Sequence, residues 1–350
     1  MTSEPTHWNR QSLGRLAQYL APKEPHDPIT LTLPTLDYHG VTMLAYAAGH
    51  VQEPLRSELK ARRANSIANE MLKRTELMTL AALMEQAGLT PIAFKGTALA
   101  YSLYEEPWLR PRTDLDLLID TTQISEIEAV FNHSGYKKRF AIEGELVSHQ
   151  STYSKRLSKN TWLDIDLHWK ISNRHLLAHA FNHSELLKRA QVLPALGLNV
   201  PAYVDSLLIA CLHRLGHHHQ EERLAWLYDI ALLAKALNES EWQEVQQIAL
   251  EKRIAQITLD GLTAAAGVFD FAPPAAVLSA LANSKDEPSA IFTQRDTPEW
   301  RIFLQELRAL PNTRQKWLWL RETLLPKPAY LRQQMQEDSL FKAHSQRILR

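Results

Sequence analysis

The sequence predicts an α+β protein in which a small mixed β-sheet core is flanked by N-terminal helices and a C-terminal helical domain. Short apolar runs feed helical segments between residues 91 and 135. Two strand-like stretches flank a turn between His149 and Trp169. After Pro201 the pattern is helical almost to the end. The expected division is a cap over residues 1–62, the core over 63–200 and the helical domain over 201–350.

The elements follow in order. Trp8 to Leu20 and Val41 to Ala48 carry helical patterns, divided by KEPHDP and LTLPTLD, whose prolines forbid one continuous helix. Glu53 to Gly88 is rich in Ala, Leu, Glu, Lys and Met, with Gly88 as a stop, and reads as one long helix or two consecutive ones. PIAF then reads as a strand, and KGTALAYSLY as a helix with Gly96 at the junction. DLDLLID alternates carboxylate and apolar residues at period two. Thr121 or Thr122 would cap the helix that follows, with Ile124, Ile127, Val130 and Phe131 on one face and Gly135 as its end. HQSTYSKRL and TWLDIDLHW around Ser158, Lys159 and Asn160 read as a β-hairpin. Beyond Pro201, prolines punctuate a series of amphipathic helices, and Asn283 to Pro298 reads as a mobile loop or linker.

Bulk properties narrow the function. The chain has 350 residues with 45% hydrophobic content, enough for a packed interior without covalent staples. Basic and acidic residues both number 39, so no global field attracts polyanions and any charged partner must be met by a local patch. The single Cys211 excludes an intrachain disulfide. The polar start MTSEPTHWNRQ lacks the apolar run of a secretory signal, and no segment reads as a membrane span, so the expected compartment is the cytoplasm.

The aspartates carry the chemical argument. Residues i and i+2 of a strand point to the same side about 7 Å apart, so Asp114 and Asp116 project together while Leu115, Leu117 and Ile119 enter the core. Carboxylates that close repel unless a cation lies between them. The hard cation suited to oxygen ligands and phosphate is Mg²⁺, with Mn²⁺ as a substitute, and two such ions can clamp the attacking and leaving oxygens of an in-line displacement. TWLDIDLHW supplies a third carboxylate: Asp166 is the first choice and Asp164 the reserve. Aspartate is depleted in strands, so four on two strands need a reason. Gly96 at a helix start lets backbone approach a phosphate, Thr97 adds a hydroxyl, and Lys95, Arg110 and Arg112 are cations placed to meet the outer phosphates of a nucleoside triphosphate such as ATP.

A strand, KG, a helix, an Arg-containing loop and then DLDLLID together resemble the DNA polymerase β superfamily of nucleotidyltransferases. IAFKGTALAYSLYEEPWLRPRTDLDLLID, LDIDLHWKI, LLIACLHRLGHHHQEERLAWLYDIALL and LLPKPAYLRQQ are similar, more narrowly, to an uncharacterised bacterial nucleotidyltransferase family often encoded near polysaccharide and peptide-modification genes. That likeness runs from about residue 36 to 333. It implies that Asp114 and Asp116 are the metal pair and Asp166 the third carboxylate. The superfamily glycine is commonly followed by Ser or Gly, whereas Gly96 stands between Lys95 and Thr97, as is usual in the narrower family. The expected activity is Mg²⁺-dependent transfer of NMP from an NTP to an acceptor hydroxyl. The acceptor would be a small molecule, a glycan-pathway intermediate, a peptide or a protein, with nucleic acid less favoured at neutral net charge. The rivals are a silent binding protein on the same fold and a phosphotransferase that attacks the γ-phosphorus.

His213 and His217 stand four apart, with His218 and His219 adjoining, but no Cys or Glu at ligand spacing accompanies them. They read as packing and a polar helix end rather than a zinc site. The resemblance instead favours this helix, with Arg223, Trp226, Tyr228 and Asp229, as a cleft wall that holds a base or acceptor. His168 and Trp169 lie on opposite faces, so one is beside the carboxylates and the other in the core. Trp317, Trp319 and Tyr330 read as packing residues and Cys211 as a small buried apolar one.

Overall fold

The computed structural model describes residues 10–21, 25, 29–140, 146–216, 221–294 and 296–324. Its centre is a mixed sheet of seven strands: β1 (Ile92–Phe94), β2 (Asp114–Leu118), β3 (Lys137–Phe140), β4 (Gln150–Arg156), β5 (Trp162–His168), β6 (Gln191–Leu193) and β7 (Leu198–Val200). The strand order is β3-β4-β5-β2-β1-β7-β6. β2 lies parallel to β5 and antiparallel to β1, and β4 and β5 form the expected hairpin. β3, β6 and β7 were not legible in the sequence: the first is a charged KKRF edge, and the other two have three residues each.

Period-two alternation sorts each strand between two cores. Leu115, Leu117, Ile119, Ile165 and Leu167 face a core closed by Leu77, Leu80 and Met84 of the helix Leu55–Gln86 and by Ile127 and Phe131 of the helix Ile124–His133. On the other face, Ile92, Phe94 and Leu118 join a larger core that also takes Leu13 and Leu36 from the N-terminal helices and Leu207, Leu227 and Ile257 from the C-terminal helices.

The long N-terminal stretch is one helix of 32 residues, about 48 Å at 1.5 Å per residue. Leu59 is anchored in the larger core and Leu77 in the smaller, while most of the turns between are exposed. High-propensity Ala, Glu, Lys and Arg keep this solvated middle helical. Gly88, at φ 71°, ends it as expected. The prolines divide the N-terminal helices as expected, and Pro34 also opens a further one, Leu33–His39, because a first-turn residue needs no amide hydrogen. Asp120, rather than a threonine, caps the turn that leads into Ile124–His133, accepting from the Thr122 amide.

Beyond Pro201 the described residues are helical as far as Leu324, and none of the described helices is long and apolar enough to cross a membrane. Two expectations fail here. The stretch 283–298 carries a 3-10 turn at Pro288–Thr293 whose Phe292 is buried in the larger core, while the Glu287 carboxylate accepts from Ser284, Ser289 and the Gln256 amide. Those contacts pin a segment that its polar composition suggested was loose. Trp317 is 63% exposed, whereas Trp319 packs on Phe303 with ring centres 4.8 Å apart. Tyr330 lies outside the described residues.

Glu306, on the helix Glu299–Ala309, is buried, and burial, only partly offset by the Arg174 cation, pushes its carboxyl up to about 7. A carboxyl whose folded pKa lies above its unfolded value favours folding in the neutral form. That stability is present at acid pH and is lost as pH rises through about 7. Glu306→Gln is therefore expected to be more stable than the native chain by about 2 kcal/mol at pH 8 and to match it near pH 4, in urea titrations at both pH values. A constant difference at both would refute this assignment.

Candidate active site

The site is written first in a strand register. β2 and β5 pair so that Asp114 lies beside Asp164, Asp116 beside Asp166 and Leu118 beside His168. All four aspartates and His168 therefore share the sheet face opposite the smaller core. β1 adds Phe94 beside Asp116, and the helix Lys95–Ser102 starts at the next residue.

That junction is unusual in an unexpected place. The left-handed backbone falls on Lys95 and not on the neighbouring Gly96: Lys95 adopts φ 56°, a region that an L side chain enters at a cost of about 1 kcal/mol or more. A Cβ on Gly96 would make only ordinary contact, 3.6 Å from Cβ of Arg112. The turn aims the Lys95 side chain back over the sheet, where Nζ donates to Asp116 Oδ1 at 2.8 Å.

Asp116 Oδ1 also lies 2.9 Å from His168 Nε2, and since an ionised carboxylate only accepts, that nitrogen carries the hydrogen. Burial alone would raise the Asp116 carboxyl, but the Lys95 cation and the His168 hydrogen bond outweigh it and hold the group far below the usual carboxylate range. His168 itself is lowered, by burial and then by the Lys95 charge, so its ring is neutral. Asp114 behaves in the opposite way: burial, then the negative charges of Asp116 and Asp166, push it up to about 6. The cluster holds more negative charge than the Lys95 ammonium neutralises.

Asp166 accepts from Thr152 Oγ1 at 2.6 Å and Gln150 Nε2 at 3.2 Å, both on β4. Asp164 is bound by Ser154 and lies 3.7 Å from Arg139, and unlike Asp166 it does not line the cleft. Oxygen or nitrogen atoms of Asp116, Asp166 and His168 come within 4.8 Å of one another, the one cluster among the described residues with spacing for a metal ion. The carboxylates of Asp116 and Asp166, with Asp114 on the same face, are hard oxygen donors of the kind a divalent cation takes, while His168, whose Nε2 hydrogen is committed to Asp116, orients that carboxylate.

The expected phosphate ligands divide. Lys95, Gly96, Arg110 and Arg112 line the cleft, but both arginines already have partners. Arg112 bonds to Glu70 of the long helix, to Thr97 Oγ1 at 3.1 Å and to the Pro107 carbonyl at 3.1 Å; buried Thr97 in turn donates to the Asp114 carbonyl at 3.0 Å. Glu70, Arg112 and Thr97 thus brace the strand that carries the aspartates. Arg110 grips Asp229 of the helix Leu224–Ala236 with Nε at 3.0 Å and a terminal nitrogen at 2.8 Å, and Tyr104 donates to the same carboxylate at 2.6 Å. Glu70 and Tyr104 were invisible in the sequence, because pairings across 42 and 125 residues leave no local pattern. Thr152 could have been found, since it stands opposite Asp166 in the predicted hairpin.

Removing one partner of a buried ion pair strands the other. Asp229→Asn is expected to cost roughly 3 kcal/mol of stability in urea unfolding. An unchanged midpoint would show that the Arg110 grip contributes nothing.

The cleft, of about 360 Å³, is closed by the C-terminal helices through Ile209, Ala210, His213, Arg223, Trp226 and Asp229. His213 and Trp226 stand edge to face, 6.1 Å between ring centres, and the Arg223 guanidinium lies 5.4 Å from the Trp226 ring centre. His213 therefore faces the cleft rather than serving only as packing, and Tyr228 packs instead against Tyr104 and Phe269. His217, His218 and His219 lie outside the described residues. Cys211 is buried.

No curated protein matches the chain. Among solved structures it is similar to the antibiotic-resistance factor ANT(2'')-Ia, 13% identical with a TM-score of 0.36 over 52% of this chain and 93% of that one. It is also similar to JHP933 from Helicobacter pylori, 13% identical with a TM-score of 0.33 over 70% of this chain and 97% of that one. The model of a family described as uncharacterised nucleotidyltransferase matches residues 30–270, and the chain belongs to that nucleotidyltransferase family.

Proposed function

We propose that this protein is a metal-dependent nucleotidyltransferase that moves an NMP from an NTP to an acceptor hydroxyl and releases pyrophosphate. The observation that supports it most is the parallel register of β2 and β5, which sets Asp166 beside Asp116 at the floor of a cleft that Lys95 and Gly96 also line.

Asp114 and Asp116 would hold Mg²⁺ or Mn²⁺, which when bound neutralises phosphate charge and orients the α-phosphorus for in-line attack, and Asp166 would bind a second ion or take the acceptor's proton. Gly96 and Thr97 amides at the start of the helix Lys95–Ser102 present donors and a positive dipole end to the β and γ phosphates, and the Lys95 ammonium adds a full charge. The acceptor oxygen attacks the α-phosphorus, its proton passes to Asp166, and the α–β bridging oxygen leaves with the bond pair as pyrophosphate. Arg110 and Arg112 act as braces of the loop between the helix and β2. His213, Arg223 and Trp226 form an aromatic, cationic wall suited to a nucleobase, and the helices after residue 200 act as the lid half of a two-part cleft over the core.

The test is label transfer from each NTP, labelled with ³²P at the α position and in parallel at the γ position, with Mg²⁺ or Mn²⁺, comparing the native chain with the Asp114→Ala, Asp116→Ala double variant. Transfer of α-label by the native chain alone supports the reading. Transfer of γ-label with release of NDP would replace it with a phosphotransferase, and no metal-dependent binding of any NTP would remove it.

A further inference from the structure

The active-site face of the sheet does not stop at the carboxylates. Strand order runs from β1, which feeds Lys95, through β2 and β5 to β4 and β3, so the phosphate-facing groups and Asp166 lie on opposite sides of the Asp114 and Asp116 pair. An acceptor that comes in from the side of β4 and β3 meets Asp166 before the Asp114 and Asp116 pair.

That side carries a distinctive surface. Trp162 shares the face of Asp164 and Asp166 on β5, four residues and roughly 13 Å from Asp166 at about 3.3 Å per residue. Its indole is 49% exposed, and the guanidiniums of Arg139 and Arg156 lie 5.9 and 5.8 Å from the ring centre. Arg156 stands opposite Trp162 and is fixed by the carbonyls of Ser158 and Lys159, while Lys137 is exposed opposite Ser154. The informative feature is the grouping and not the exposure: two guanidiniums lie over one indole, and of the two only Arg139 also faces a carboxylate among the described residues, Asp164 at 3.7 Å, in a chain whose total charge is zero.

We propose that this face is the acceptor platform, and that the acceptor is the end of a single-stranded polynucleotide. The proposal rests on the nucleotidyltransferase reading above and names its acceptor class. A base stacks on the Trp162 indole, Arg139 and Lys137 meet backbone phosphates, and the terminal hydroxyl reaches Asp166 across Asp164 and Thr152. The terminal oxygen forms the new ester to the α-phosphorus, its proton goes to Asp166, and pyrophosphate leaves with the electrons of the broken bond. The neutral overall charge, which disfavours nonspecific binding, is compatible with a local basic and aromatic strip of this kind.

The test is fluorescence anisotropy with short fluorescein-labelled oligo(A), as RNA, as DNA and as a duplex, on the native chain, Trp162→Ala and Trp162→Phe. Mn²⁺-dependent NTP binding is measured on the same preparations. Expected is salt-dependent binding of single strands, about tenfold weaker in Trp162→Ala, nearly restored in Trp162→Phe and absent for the duplex, with NTP binding the same in all three proteins. The arm bound more tightly, RNA or DNA, names the sugar. Equal binding by Trp162→Ala, tighter binding of the duplex, or no binding of single strands overturns the platform while NTP binding persists. Loss of NTP binding in the native chain overturns the reading beneath it.

Discussion

Asp116→Asn is expected to reduce nucleotide transfer by about a thousandfold or more and to abolish Mn²⁺ binding, while the chain stays folded. The loss follows from position. Asp116 is the carboxylate that meets Lys95 and His168 at one oxygen and pairs with Asp166 across the strands, so it lies at the centre of the donor set. Asparagine keeps the shape but offers a neutral oxygen, a weak ligand for a hard cation. Folding survives because Lys95 still faces the negative charge of Asp114, and the mutual repulsion that pushes Asp114 up falls when its neighbour is neutral. Transfer assays, Mn²⁺ electron paramagnetic resonance and a thermal melt on one preparation check the three parts. Native-level transfer by the variant would remove Asp116 from the chemistry.

Lys95→Gly is expected to separate metal binding from nucleotide binding. In the native chain the ammonium occupies an oxygen that a metal ion would use, so its removal should tighten Mn²⁺ binding in the absence of nucleotide, by roughly tenfold for a partly buried pair. The same variant loses the charge that meets the phosphates. NTP affinity and turnover should fall by about a hundredfold. Glycine is the right probe because the position is left-handed, and it relieves backbone strain that alanine would retain. Calorimetric titration with Mn²⁺, with and without NTP, reads both effects. Weaker Mn²⁺ binding in the variant would show that Lys95 helps to build the metal site rather than hold its place.

The sequence disclosed the parts of the site whose signals are local. Alternation in DLDLLID and LDIDLHW fixed the faces of four aspartates, and the turn residues at Ser158 to Asn160 fixed the hairpin. His168, two residues beyond Asp166, falls on the aspartate face by the same alternation, whereas Trp169, expected in the core, is half-buried and joins neither core. What alternation cannot provide is register between strands joined by a long connection. Asp166 lines the cleft and Asp164 does not, a difference that depends on the packing around β5 and that only the folded chain displays. The partners of Arg110 and Arg112 escaped for a related reason. A loop arginine reads as a free cation until the distant Asp229 or Glu70 that neutralises it is in place. Lys95 was legible as a cation beside the aspartates but its left-handed backbone was not, because that geometry is ordinarily a glycine's.

The pairing of β2 with β5 also governs how such a chain can diverge. Between the two strands, residues can be gained or lost in the turns without moving a carboxylate, because each strand is held by its neighbours and not by the length of the connection. Inside either strand the rule reverses. One residue gained or lost there exchanges Asp116 or Asp166 with a leucine, sending carboxylates into the smaller core and apolar side chains into the cleft. The hairpin tip and the charged edge can thus change length without displacing a carboxylate, whereas the two aspartate strands cannot.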